Sequence, residues 1–181
     1  VGNINGYLTG RLTYDPNRDD DSKADPYNHD AYGALVSDKK YAVCDGYSKG
    51  FQALCQKYNI KCYTISGYTA PVGKDGHAWN AVLMDNNEWY PVDVTWNDTG
   101  NNAYLLSSAD SFNKDHIPGK HPYGEGVNFN YPMFAKEKYD KDPWYTSDMT
   151  MYLFAGLIGA AVLLAIGLTA VQNKKGGNRK I

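Results

Sequence analysis

"KKYAVCDGYSKGFQALC" (residues 39–55) sets a cysteine between a short strand-like apolar run and a helical pattern. After Cys44 the apolar or aromatic positions are Tyr47, Phe51, Leu54, Cys55 and Tyr58. Their steps of 4, 3, 1 and 3 trace one face of an α-helix. Asn59 suits a left-handed cap, with Ile60 folding back on the last turn. Cys44 is therefore expected at the helix N-terminus, where unpaired N–H groups and the helix dipole favour an anion. A thiol placed there is drawn toward thiolate, its nucleophilic form. The same N–H groups, that of Cys44 included, can hold a developing oxyanion. Cys55, on the apolar face, reads as a buried and inert thiol.

A thiolate nucleophile needs a base, and the base needs an orienting group. Downstream stands "DGHAWNAVLMDNNEWYPVDVTWND" (residues 75–98), which reads as a hairpin. "HAWNAVLM" and "EWYPVDV" are strand-like, and Asp85-Asn86-Asn87 is the turn. With a three-residue loop, Met84 pairs with Glu88 and Trp79 with Asp93, and His77 lies diagonally from Asp93 on the same face. A two-residue Asn86-Asn87 loop puts His77 and Asp93 on opposite faces, because the side-chain period in a strand is two. A Cys44–His77–Asp93 set thus requires the odd loop, which Asp-Asn-Asn accommodates as a three-residue turn with a bulge.

"AYGALVSDKKYAVCDGYSKGFQAL", "GHAWNAV" and "WYPVDVTWND" occur in that order, with 33 residues from Cys44 to His77 and 16 from His77 to Asp93. These blocks resemble the transglutaminase-like superfamily, in its bacterial surface-protein branch. The similarity runs from "GYLTGRLTYD" at Gly6, which resembles that branch's preceding helix, to "LLSSADSFNKDH" ending at His116. The resemblance implies a papain-related α+β core, with the helix headed by the nucleophile packed on an antiparallel sheet. It implies Cys44 as nucleophile, His77 as general base and acid, and Asp93 as the group orienting the imidazole. Trp79 and Asn80 match residues that follow the histidine. Tyr14 and Tyr32 are both candidates for a second oxyanion donor. The implied chemistry is acyl transfer at carboxamide or peptide bonds, either as peptidase or amidase or as a protein crosslinker. The alternative is a catalytically silent module that binds peptides or cell-wall polymer at the cell surface.

Other features bound the reading. The chain has 181 residues and 43% hydrophobic content, enough for one domain with a core. Four of the 18 basic residues are Lys174, Lys175, Arg179 and Lys180, and no acidic residue lies beyond Asp148. Residues 1–148 therefore carry 14 basic and 20 acidic side chains, a net of −6, a poor surface for nucleic acid. "MYLFAGLIGAAVLLAIGLTAV" (Met151–Val171) holds 21 residues without a charge. As a helix at about 1.5 Å per residue it spans roughly 30 Å, the thickness of a bilayer core. The basic cluster after it is expected in the cytosol and the acidic domain outside the cell. That topology calls for an export signal before Val1.

The expected organisation is a transglutaminase-like domain (1–135), a juxtamembrane linker (136–148), a transmembrane helix (149–172) and a basic cytoplasmic tail (173–181). The partners expected are a protein or peptide substrate, cell-wall associated or not, and the membrane. No cofactor is expected. No metal site is expected either, since the four histidines are scattered in sequence and Cys44, Cys55 and Cys62 lack a CxxC spacing. "DPNRDDDSKAD" (Asp15–Asp25) reads as a solvated acidic loop, because Asp20 and Pro26 stand where a calcium loop needs glycine and glutamate. Trp79, Trp89 and Trp96 are candidates to line an acceptor channel. Cys55 and Cys62 are expected to be free, buried thiols, leaving Cys44 as the accessible one.

Overall fold

A computed structural model of the chain describes residues 1–70, 76–119 and 131–140. The fold is α+β. Helix α1 (Gly2–Arg11), strand β1 (Thr13–Tyr14), helix α2 (Ala31–Leu35) and strand β2 (Tyr41–Ala42) lead into helix α3 (Cys44–Lys57). Strands β3 (Cys62–Thr69), β4 (Gly76–Leu83) and β5 (Trp89–Val92) follow, then helices α4 (Val94–Asn97) and α5 (Ala109–Phe112) and strand β6 (His116–Pro118). β5, β4, β3 and β6 form one four-stranded antiparallel sheet in that order, while β1 and β2 pair in parallel.

The α3 helix follows its sequence pattern closely. Tyr47, Phe51 and Cys55 are fully buried on its inner face. They join Cys62, Val82, Tyr90 and Val92 in a core between helix and sheet. The helix ends in a Schellman motif: Asn59 takes φ 57°, and the Ile60 N–H reaches the Cys55 carbonyl at 2.9 Å. Ile60 packs on this core, as the fold-back predicted. Tyr58 does not join the apolar face; at 63% exposure it lies beyond the helix's last turn as the C-cap. The opposite face of the sheet carries a second core of Ile65, Trp79, Ala81 and Phe112.

The 15–25 segment departs from the solvated loop its composition suggests. Its middle is exposed, but Asp15 and Asp25 at its two ends are buried. The Asp15 carboxylate accepts hydrogen bonds from the Asn17 and Asp25 N–H groups and from the Asn28 amide at 2.8–2.9 Å. Burial opposes the charge, but these donors outweigh it and hold the Asp15 carboxyl below its ordinary range. The acidic residue is thus an internal staple that ties the loop together.

The compact unit runs Val1–Tyr139. Tyr139, within the stretch read as a linker, docks on this unit. Its N–H donates to the Leu106 carbonyl at 3.0 Å and its hydroxyl to Asp85 at 2.7 Å. The Met151–Val171 segment and the basic tail lie outside the described residues. No helix among the described residues is long and apolar enough to cross a membrane.

Candidate active site

Cys44 is the first residue of α3, following an extended Val43 whose side chain makes no cap. The helix start is held from outside by the preceding loop: the Val43 N–H donates to the Asn28 carbonyl at 2.9 Å. Gly46 is required there, since a Cβ at that position would stand 2.1 Å from the Asn28 carbonyl oxygen. From the sheet side, the buried Asn80 amide donates to the Ser48 carbonyl at 3.0 Å and to Thr64 Oγ1 at 3.3 Å. Asn80 therefore fixes the helix on the strand that carries His77.

The hairpin has the odd loop. The Met84 N–H reaches the Glu88 carbonyl at 3.0 Å, and Asn87 takes φ 62°, the left-handed residue of a three-residue turn. Asn80 pairs with Val92, so the register extended by one sets Trp79 opposite Asp93 and His77 diagonal to it. His77 Nε2 and Asp93 Oδ2 are 2.6 Å apart, both groups buried. Asp93 also caps α4, accepting from the Trp96 N–H at 3.1 Å through its other oxygen. That second duty fixes the carboxylate's plane.

With Nε2 engaged by Asp93, Nδ1 of His77 is left for the thiol. Burial disfavours the charged imidazole, yet hydrogen bonds to Asp93 and to the Cys44 sulfur, and the charges of both, outweigh it and raise His77 to about 9. Burial likewise works against ionised Asp93, but the hydrogen bonds from His116 and His77 hold its carboxyl below the ordinary value. The half-buried Cys44 opens on a cleft of about 360 Å³ that it lines with Asp45, Ser66, Gly67, Tyr68 and His77. At the rim the Asp45 carboxylate is paired with His29 at 2.8 Å and Lys49 at 3.4 Å.

Of the two tyrosine candidates, Tyr14 is the one at the site. Burial and the nearby Cys44 thiol raise its pKa, while the Cys44 backbone N–H at its hydroxyl works the other way. Tyr32 is half exposed and packs edge-on against Tyr27. None of the three tryptophans lines the cleft. Trp79 is fully buried beneath it, Trp96 stacks on the His77 ring at 5.3 Å, and Trp89 stacks on Tyr63. Cys55 and Cys62 are free and buried, as expected. The neighbouring Cys55 thiol and burial push the Cys62 thiol well above its ordinary pKa.

Two of the four histidines, scattered in sequence, meet at Asp93. His116 Nε2 lies 3.0 Å from the same Oδ2 that binds His77, and its Nδ1 lies 2.7 Å from Asp115 Oδ1. Among the described residues, His77, Asp93 and His116 are the one group of three close enough to share a metal ion. Sequence reasoning missed His116. Its available signal was the Asp115-His116 pair closing the last quoted block, with no periodicity to place it.

The sequence of residues 1–94 matches the profile of the transglutaminase-like superfamily. The chain is 32% identical over 96 residues to the kyphoscoliosis peptidases of Mus musculus and Homo sapiens. Each match covers 41% of this chain and 14% of the relative, so the chain spans about a seventh of the length of these curated relatives. Among solved structures it is similar to a TGase at 22% identity, covering 54% of this chain and 26% of that one, with a TM-score of 0.42.

Proposed function

Because the chain belongs to the transglutaminase-like superfamily, we propose that it is a cysteine acyl-transfer enzyme. Cys44 is its nucleophile, His77 its general base and acid, and Asp93 the group that orients the imidazole. One observation carries this reading: a buried His77–Asp93 pair at 2.6 Å faces a thiol at the first residue of a helix. The spacing alone did not require that convergence.

The Cys44 thiolate attacks the carbonyl carbon of a carboxamide or peptide, and the C=O π electrons move to oxygen. The helix N-terminal N–H of Cys44 and the Tyr14 hydroxyl stabilise that oxyanion. As the tetrahedral species collapses, the C–N bond breaks and the amine leaves with the proton held on His77 Nδ1. Asp93 keeps the tautomer and stabilises the imidazolium meanwhile. His77 then takes a proton from water or from a second amine, whose attack on the thioester regenerates the thiolate. Water gives hydrolysis and a lysine amine gives a crosslink. The relatives carry the name peptidase, so hydrolysis is the outcome to test first.

We also place the enzyme at the cell surface, acting on protein or peptide there. The uncharged Met151–Val171 segment is its anchor, with the basic Lys174–Lys180 end in the cytosol. Carbonate extraction with protease protection tests this: release into the soluble fraction removes the anchor from the proposal.

The chemistry is tested on the folded chain with iodoacetamide near neutral pH. It is followed by ammonia release and fluorescent-amine incorporation on glutamine-containing and lysine-containing peptides. Selective labelling of Cys44, with turnover abolished by Cys44→Ala, is expected. Turnover that survives Cys44→Ala rules out the assignment.

A further inference from the structure

The Asp93 carboxylate serves two imidazoles through a single oxygen. His77 Nε2 is 2.6 Å and His116 Nε2 3.0 Å from Oδ2. His116 is 1% exposed. Its ring is held face to face with Phe112 at 3.8 Å and against Trp96 at 4.5 Å. Its other nitrogen is anchored on Asp115 at 2.7 Å, and Asp115 in turn accepts from the Tyr104 hydroxyl at 2.8 Å. The titratable groups facing His116 among the described residues are therefore Asp93 from the end of β5, His77 from β4, its neighbour Asp115, and Tyr104.

We propose that His116 is a positioning residue for the reaction, clamping Asp93 Oδ2 beside His77 and linking the site to Asp115. The role rests on the catalytic reading of Cys44, His77 and Asp93 given above. An ionised carboxylate only accepts hydrogen bonds. Lying between two of them, His116 is placed to offer an N–H to Asp93 Oδ2 at 3.0 Å. That N–H turns the positive end of its dipole toward a fully buried carboxylate, which otherwise faces burial with His77 as its one imidazole partner. Asp93 stands at the junction of a strand end and a one-turn helix; the Trp96 N–H holds its Oδ1 at 3.1 Å, and His116 adds a second imidazole to the Oδ2 that His77 uses.

The test measures the rate of Cys44 alkylation by iodoacetamide against pH in the full chain, with thermal midpoints taken alongside. His116→Phe keeps the ring against Phe112 and removes both N–H groups. His116→Gln keeps one N–H near the Nε2 position. With His116→Phe, the acid-side midpoint of the profile is expected to move up by about one pH unit, with alkylation about tenfold slower near the wild-type midpoint. The direction follows from removing positive potential near a thiolate. His116→Gln, which keeps one of the two N–H groups, is expected displaced in the same direction as His116→Phe by less. Packing alone would lower the thermal midpoint of His116→Phe and leave the profile in place, and that result overturns the proposal. Should His116→Phe fail to fold, His116→Gln decides: a profile displaced upward supports the clamp and a wild-type profile overturns it. Unselective labelling of the wild-type cysteines defeats the active-site reading and the clamp together. A selective wild-type Cys44 with unmoved variants defeats the clamp alone.

Discussion

His77 Nε2 and Asp93 Oδ2 meet at 2.6 Å although the two residues sit on different strands, joined by a hairpin whose loop holds three residues. In the proposed reaction the contact fixes the imidazole so that Nδ1 serves the thiol. Asp93→Asn keeps the cap on Trp96 through its remaining oxygen and keeps the fold. It removes the charge and permits the wrong tautomer. Acyl transfer is expected to fall by roughly 10²–10⁴-fold, with the thermal midpoint little changed. Steady-state rates with parallel circular dichroism check this, and an unchanged rate would remove Asp93 from the mechanism.

The same pair sets a pH dependence of stability. His77 is raised from 6.5 to about 9, so the folded state binds its proton more tightly than the unfolded chain does. The stabilisation is fully present below about pH 6.5 and is lost as pH rises through about 9. Urea midpoints of wild type and His77→Gln are expected to differ most near pH 6 and to converge by about pH 10. A gap that widens as pH rises would reverse the sign and refute the argument.

The three cysteines differ by position. Cys44 is half-buried at the cleft, whereas Cys55 and Cys62 are 0% and 3% exposed. Mass spectrometry of the native chain after brief alkylation is expected to find Cys44 modified and the other two protected. All three should react in denaturant. Native modification of Cys55 at a rate comparable to Cys44 would contradict the core placement.

Asp15 holds its loop through three donors at 2.8–2.9 Å. Asp15→Ala leaves those donors unpaired and should cost about 3 kcal/mol, a fall in thermal midpoint of roughly 6–12 °C. Its carboxyl is held below 3.8, so this stabilisation is present above about pH 3.8 and disappears as pH falls through the lowered value. Calorimetry of the variant at pH 7 checks the size. A midpoint within about a degree of wild type would show the loop to be solvated after all.

The sequence by itself determined the local part of this protein. The α3 face from Tyr47 to Cys55, the Asn59 cap and Cys44 at the helix start follow from a period of 3.6 and one left-handed residue, both properties of neighbours in the chain. The hairpin itself was legible, but its sequence allowed a two- or a three-residue loop, and the Met84–Glu88 pairing in the structure decided for the loop that gives His77 and Asp93 one shared face. Tertiary structure decided what depends on residues far apart. Nothing local distinguishes the buried Asp15 from the exposed Asp19; only the donors brought by Asp25 and Asn28 do. Tyr58 continued the helical period but lies past the last turn, where the chain reverses and leaves it exposed. His116 comes to Asp93 from 23 residues away because β6 pairs with β3 on the sheet's far side. A hydrogen bond of that kind is selected by the packing of the whole sheet, and no periodicity in the chain encodes it.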